Sequence, residues 1–132
     1  MASVRLNGAY LTGAELNDAH LTYANLNGAI LRDATFFDAD LFLANLTGAD
    51  LRSAKFFKSS LLGADLTGAD VRGANLDGSY LASTDLTNTD LRGTNLSNVI
   101  GLTADQLRGA RIDDSTLLPP ELLSLIPTPP RR

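Results

Sequence analysis

The residue types of a hydrolytic site are present at regular spacing: His20, the single histidine, is followed at intervals of twenty by Asp40, Ser60 and Tyr80. A serine nucleophile needs the histidine within hydrogen-bond reach and a carboxylate behind that histidine, so the order in any column they form is decisive. Thiolate catalysis, disulfides and thiolate metal sites are excluded because the chain has no cysteine. Two further constellations carry other chemistry. Arg32, Arg52, Arg72 and Arg92 also stand twenty apart, as do Asp50, Asp70 and Asp90, which suits ion pairing or anion binding. A third set is apolar: Phe37, Phe42, Leu43, Phe57 and Leu62, with Tyr23 and Tyr80. What each set can do depends on the element that aligns it.

That element is a repeat. A large apolar residue recurs at every fifth position from Leu6 to Leu96, nineteen times in a row, sixteen of them Leu, with Phe36, Phe56 and Val71 as the rest. Two places before each stands a small or β-branched residue, and Ala9 to Ala54 is an unbroken series of ten alanines. Numbered from the small residue, the repeat has Asp or Asn often second, the large apolar residue third, and Gly often fifth; Ala64-Asp65-Leu66-Thr67-Gly68 is a clean case. A period of five fits neither the 3.6 of a helix nor a long strand alternation. The chain must therefore turn once per repeat, with the first and third side chains inward and the turn near the fifth residue. Outward residues recur every twenty positions, and residues 24–43 match 44–63 at eleven of twenty. Four repeats thus close one coil. At about 4.8 Å per stacked strand the nineteen repeats predict just under five coils and a rod roughly 23 Å long. Four small and four large side chains per tier fill the interior.

The pattern A-(D/N)-L-x-x across residues 4–98 resembles that of the pentapeptide-repeat family. The resemblance implies an all-β fold, a right-handed quadrilateral β-helix; from the residues themselves no catalytic, cofactor or metal site is expected. Thr84, Thr89, Thr94 and Val99 depart from alanine and suggest wider final coils. After a lead-in at 1–3 and the β-helix at 4–98, residues 99–126 are expected to form a cap with irregular repeats, and 127–132 a disordered tail. Thr103-Ala104-Asp105-Gln106 reads as a capping box opening a short helix to about Arg108. Two looser repeats are placed at Ala110/Ile112 and Ser115/Leu117. No comparable cap precedes Val4, so the first coil's edge is either shielded by the terminus or open to end-to-end pairing.

At 132 residues the chain is one domain, and a formal charge of −4 with a pI near 4.7 argues against direct nucleic acid binding through a basic surface. No apolar run suits membrane insertion and none resembles a secretory signal, so a cytoplasmic protein is the expectation. Stacking at twenty residues places Asp40 between His20 and Ser60, the wrong order for a triad, and the chain is expected not to be an enzyme. The arginine and aspartate columns share a side and are expected to neutralise each other. The apolar set falls on the third side and its continuation onto the fourth, outward because Phe36 and Phe56 take the inward slot. It is the candidate protein interface, for an unidentified partner or for self-association, unless the segment from Leu117 to Ile126 folds over it. The family resemblance adds an alternative: an acidic DNA mimic that binds a type II topoisomerase such as gyrase.

Overall fold

A computed structural model describes residues 3–125. The chain winds as a four-sided coil in which each repeat forms one side and pairs in parallel with the repeats twenty residues before and after it. The first side stacks Arg5, Asn25, Asn45, Asp65 and Asp85; the second Tyr10, Ile30, Asp50, Asp70 and Asp90. The third stacks Glu15, Thr35, Lys55, Asn75 and Asn95, and the fourth His20, Asp40, Ser60, Tyr80 and Ile100. These second-position residues point outward. The first and third positions point inward and are buried from Leu21 to Leu96, forming one continuous core.

Interior repeats share a common scheme for their backbone N–H groups, and the scheme explains the composition. In the repeat from Ala44, the Asn45 N–H donates to Ala24 of the preceding coil, at 2.9 Å. Those of Leu46 and Gly48 donate to Asp65 and Thr67 of the following coil, at 2.8 and 3.0 Å. The N–H of Ala49 closes the turn on the carbonyl of Leu46, at 3.0 Å. That leaves the fourth residue, Thr47, whose N–H donates to the side-chain oxygen of Asn45 at 2.9 Å. The same bond joins Asp65 to Thr67, Asn75 to Asp77 and Asp85 to Thr87. Aspartate or asparagine is therefore second because its side chain satisfies a donor that no strand reaches. Thr35 does not do so, its buried hydroxyl making no hydrogen bond among the described residues, and Phe37 N–H takes Asn17 Oδ1 of the previous coil instead, at 2.9 Å.

The fifth residue carries φ near +60° to +70° at almost every corner, which favours glycine because a Cβ is crowded there. Threonines 84, 89 and 94 are held inside the last coils by hydrogen bonds of their hydroxyls. Their hydroxyls donate to the carbonyls of Leu61, Leu66 and Val71 at 2.7, 2.7 and 2.8 Å, and their turns close at 3.0–3.1 Å as in the alanine repeats.

The register breaks at Gly101, and α1 (Ala104–Arg108) follows with Thr103 as its N-cap. Gln106 completes the capping box and its side-chain amide donates to the carbonyls of Leu81 and Thr84, which seats the helix on the last coil. Arg111 then pairs with Asp90 and Leu117 with Asn95, adding a strand to two sides. The looser repeat at Ala110/Ile112 is in place, but the next is Thr116/Leu118 and not Ser115/Leu117. Asp113-Asp114-Ser115 is one residue longer than an ordinary corner, so Thr116 is buried and Leu117 is exposed. Leu107, Leu118 and Leu122 close the core at this end. The expected tail at 127–132 lies outside the described residues, as do Met1, Ala2 and Ile126.

Candidate functional site

Turns at residues 22–23, 37–38, 42–43, 57–58 and 62–63 place the apolar set on the two corners that border the fourth side. One corner carries Phe37 and Phe57, whose rings meet edge to face at 6.3 Å, with the Lys58 ammonium 5.3 Å from the Phe57 ring centre. The other carries Tyr23, Phe42, Leu43 and Leu62, with Tyr23 and Phe42 edge to face at 5.9 Å. The sequence reading of a single cluster over two adjacent sides is thus corrected to two apolar rails along the edges of one side. Between them runs a polar strip of Asp40 and Ser60, with Tyr80 at its end. The shift follows from the turns, which use both the fourth and fifth residues, so that Phe42 and Leu43 sit on a corner and not on a flat side.

The rails are exposed. Phe37, Phe42, Leu43 and Phe57 are 36–44% accessible, Tyr80 43% and Tyr23 58%. Among the described residues the C-terminal segment does not fold over them: Leu118 and Leu122 pack on the end of the core, leaving Leu117, Leu123 and Leu125 outside. Tyr23 and Leu43 also hold φ of 61° and 55°, in the slot that accepts glycine without strain. A left-handed leucine costs about 1–2 kcal/mol relative to its ordinary conformation, more than the freedom a glycine loses. Leu43→Gly is therefore expected to raise the stability by ~0.5–1 kcal/mol, read as a higher urea midpoint. Stability alone does not account for the leucine.

The hydrolytic residues stack as the ladder requires: His20, Asp40, Ser60, Tyr80, each one strand from the next. Asp40 Oδ1 accepts the N–H of Phe42 at 3.0 Å, and Ser60 Oγ accepts that of Leu62 at 3.5 Å, so both are engaged in turns. No group of three or more His, Asp or Glu among the described residues could hold a metal ion.

The charged columns interlock on the second side. Asp50 pairs with Arg32 and Arg52 at 2.5 and 2.8 Å. Asp70 pairs with Arg72 at 2.7 Å and Arg52 at 3.7 Å, and Asp90 with Arg92 at 2.7 Å and with Arg72 and Arg111 at 3.7 Å. Each carboxylate lies between arginines of successive coils, and Arg72 and Arg92 hold Asp70 and Asp90 below the usual carboxylate pKa chiefly through side-chain hydrogen bonds. The hydroxyls of Thr87 and Ser115 do the same to Asp85 and Asp113. A lowered folded-state pKa stabilises the fold above the unfolded value of 3.8, and that contribution is lost as the pH falls through the folded value. The urea midpoint is expected to hold from neutrality to about pH 4 and to drop below it.

A four-sided parallel β-helix with a filled core and a C-terminal cap defines a solenoid class. The family model of pentapeptide repeats matches in eight copies over residues 1–38, 34–73 and 59–98, and the chain belongs to the pentapeptide-repeat family. Rfr23, a pentapeptide repeat protein from the cyanobacterium Cyanothece 51142, shares 25% identity over 84% of this chain and 88% of its own, with a TM-score of 0.76. A pentapeptide repeat protein of the Arabidopsis thaliana thylakoid lumen is 33% identical over 78% of this chain and 68% of its own, at 0.67. QnrB1, a plasmid-mediated fluoroquinolone resistance protein, aligns over 93% of this chain and 62% of its own at 0.68. Its 21% identity makes that a likeness of fold. The coil is right-handed, as in these neighbours. No curated protein matches the chain in sequence. No helix among the described residues is long and apolar enough to cross a membrane. The fold brings no compartment with it, since one neighbour is a lumenal protein.

Proposed function

We propose that this chain is a non-enzymatic scaffold that docks a partner protein on its fourth side. The observation that carries the proposal is the pair of exposed rails, in which Tyr23 and Leu43 occupy strained corners without burying themselves. Strain of this kind persists where something other than the fold uses it. Two apolar rows flanking Asp40 and Ser60 suit a partner that offers apolar side chains on either side of a hydrogen-bonding row. The absence of catalysis is part of the proposal. It rests on Asp40 standing between His20 and Ser60, and on the engagement of Asp40 and Ser60 in turns.

The acidic DNA mimic implied by family resemblance requires a continuous negative face. The repeats carry eleven acidic and seven basic residues, and on the second side every carboxylate from Asp50 to Asp90 is paired with arginine. The docking reading is therefore preferred.

A photo-crosslinking residue at Phe57 tests it against the same residue at Asn27, on the diagonally opposite corner. Both side chains are exposed, so folding is spared. Capture of a defined protein from position 57 and not from 27 is the expected result. Equal capture from both would refute a localised surface.

A further inference from the structure

The two ends of the rod differ. At the C-terminal end α1, Arg111, Leu117 and Leu122 cover the core and extend two sides of the ladder. At the other end the inward residues Leu6, Leu11 and Leu16 are only partly buried, whereas their counterparts from Leu21 onward are closed in. The N–H and carbonyl groups of Arg5, Tyr10, Glu15 and His20 make no backbone bond among the described residues. In an interior coil both groups of this second-position residue point toward the N-terminal end, as Asn45 shows by donating to Ala24 and accepting from Leu26. Each side of the first coil thus presents a donor and an acceptor from one residue. That is the half of an antiparallel hydrogen-bonded pair.

We propose that two copies of this chain join by their N-terminal rims, head to head, about a two-fold axis perpendicular to the rod. Such an axis runs the facing sides antiparallel, so that a second-position residue brought opposite its counterpart exchanges both bonds with it. The charges choose the axis. With the axis through the Tyr10 and His20 sides, Arg5 of one copy faces Glu15 of the other, twice, and Tyr10 faces Tyr10. With the axis through the Arg5 and Glu15 sides, like charges meet. An axis through the corner before Arg5 sets Arg5 against His20 and Tyr10 against Glu15, leaving both charges unmatched.

The rim is one turn of a spiral that descends about one strand spacing per coil. With Tyr10 on the axis, the Arg5, Tyr10 and Glu15 sides meet their counterparts at equal spacing, and the His20 side stands apart by a further strand. Three sides therefore pair, and Leu6, Leu11 and Leu16 of the two copies close over each other. Arg5 and Glu15 are exposed, and neither forms an ion pair among the described residues. The capped far end makes the assembly stop at two.

Sedimentation equilibrium of the full chain over a range of concentrations tests this. The native chain is expected to dimerise, Arg5→Glu and Glu15→Arg each to weaken the dimer by tenfold or more, and the double reversal to restore it. Circular dichroism of the three variants should match the native chain, because neither side chain contributes to the core. A chain that stays monomeric at every concentration would overturn the proposal. So would a dimer indifferent to either reversal, which would point to the corner axis or to the apolar rails.

Discussion

Phe56→Ala is expected to cost about 3–5 kcal/mol, while Phe57→Ala, one residue along, should cost less than about 1 kcal/mol. The side chains are alike and the register separates them. Phe56 is fully enclosed, its ring stacked parallel on Phe36 at 4.6 Å, and it fills the interior of the third side beneath Leu76. Its loss leaves a cavity that the neighbours cannot collapse into, because each is fixed by its own ladder bonds. Phe57 turns out at the corner, 44% exposed, and loses only its edge contact with Phe37 and the Lys58 ammonium. For a domain of this length the first change should lower the thermal midpoint by about 10–20 °C. Calorimetry of the two variants gives the comparison directly. Similar midpoints would mean that the inward and outward assignments are wrong.

Changing Phe37, Phe42 and Phe57 together to serine is expected to abolish partner binding and leave the coil intact. All three leave through corners and none belongs to the buried core. The ladder bonds that involve them use the backbone, which serine retains. Serine at a corner also removes exposed apolar surface, so solubility should improve. Aromatic anchors dominate most interfaces, and a buried aromatic lost to a small side chain typically costs 2 kcal/mol or more. Three such losses should weaken a complex by at least about 100-fold even if they are far from additive.

Much of this architecture is legible in the sequence because the repeat is strict. Leu6 to Leu96 in steps of five states which residues are inside, and Arg32 to Arg92 in steps of twenty state how many sides close a coil. Handedness came from the family resemblance, with which the structural neighbours agree, since spacing is blind to it. The role of the second-position Asp and Asn was missed, although its signal was present: the fourth residue of every repeat has an N–H that neither strand partner can reach. The split of the apolar set was missed because the corners consume two residues. Knowing that Phe42 lies on a corner requires knowing that Leu41 is the last residue of its side. In the cap, Ser115 and Thr116 are equally plausible inward residues by composition, and only the longer Asp113–Ser115 corner decides between them. His20, Asp40 and Ser60 show the opposite case. The column was readable from spacing alone, and its order already argued against a triad.

The claim on which the functional account rests is that the rails of the fourth side are where a partner binds. Titration calorimetry of the protein crosslinked through position 57, purified and mixed with native chain and with the triple serine variant, tests it most directly. The account predicts saturable binding to the native chain and a loss of affinity of at least about 100-fold in the variant at an unchanged unfolding midpoint. Equal affinity for both chains would contradict it.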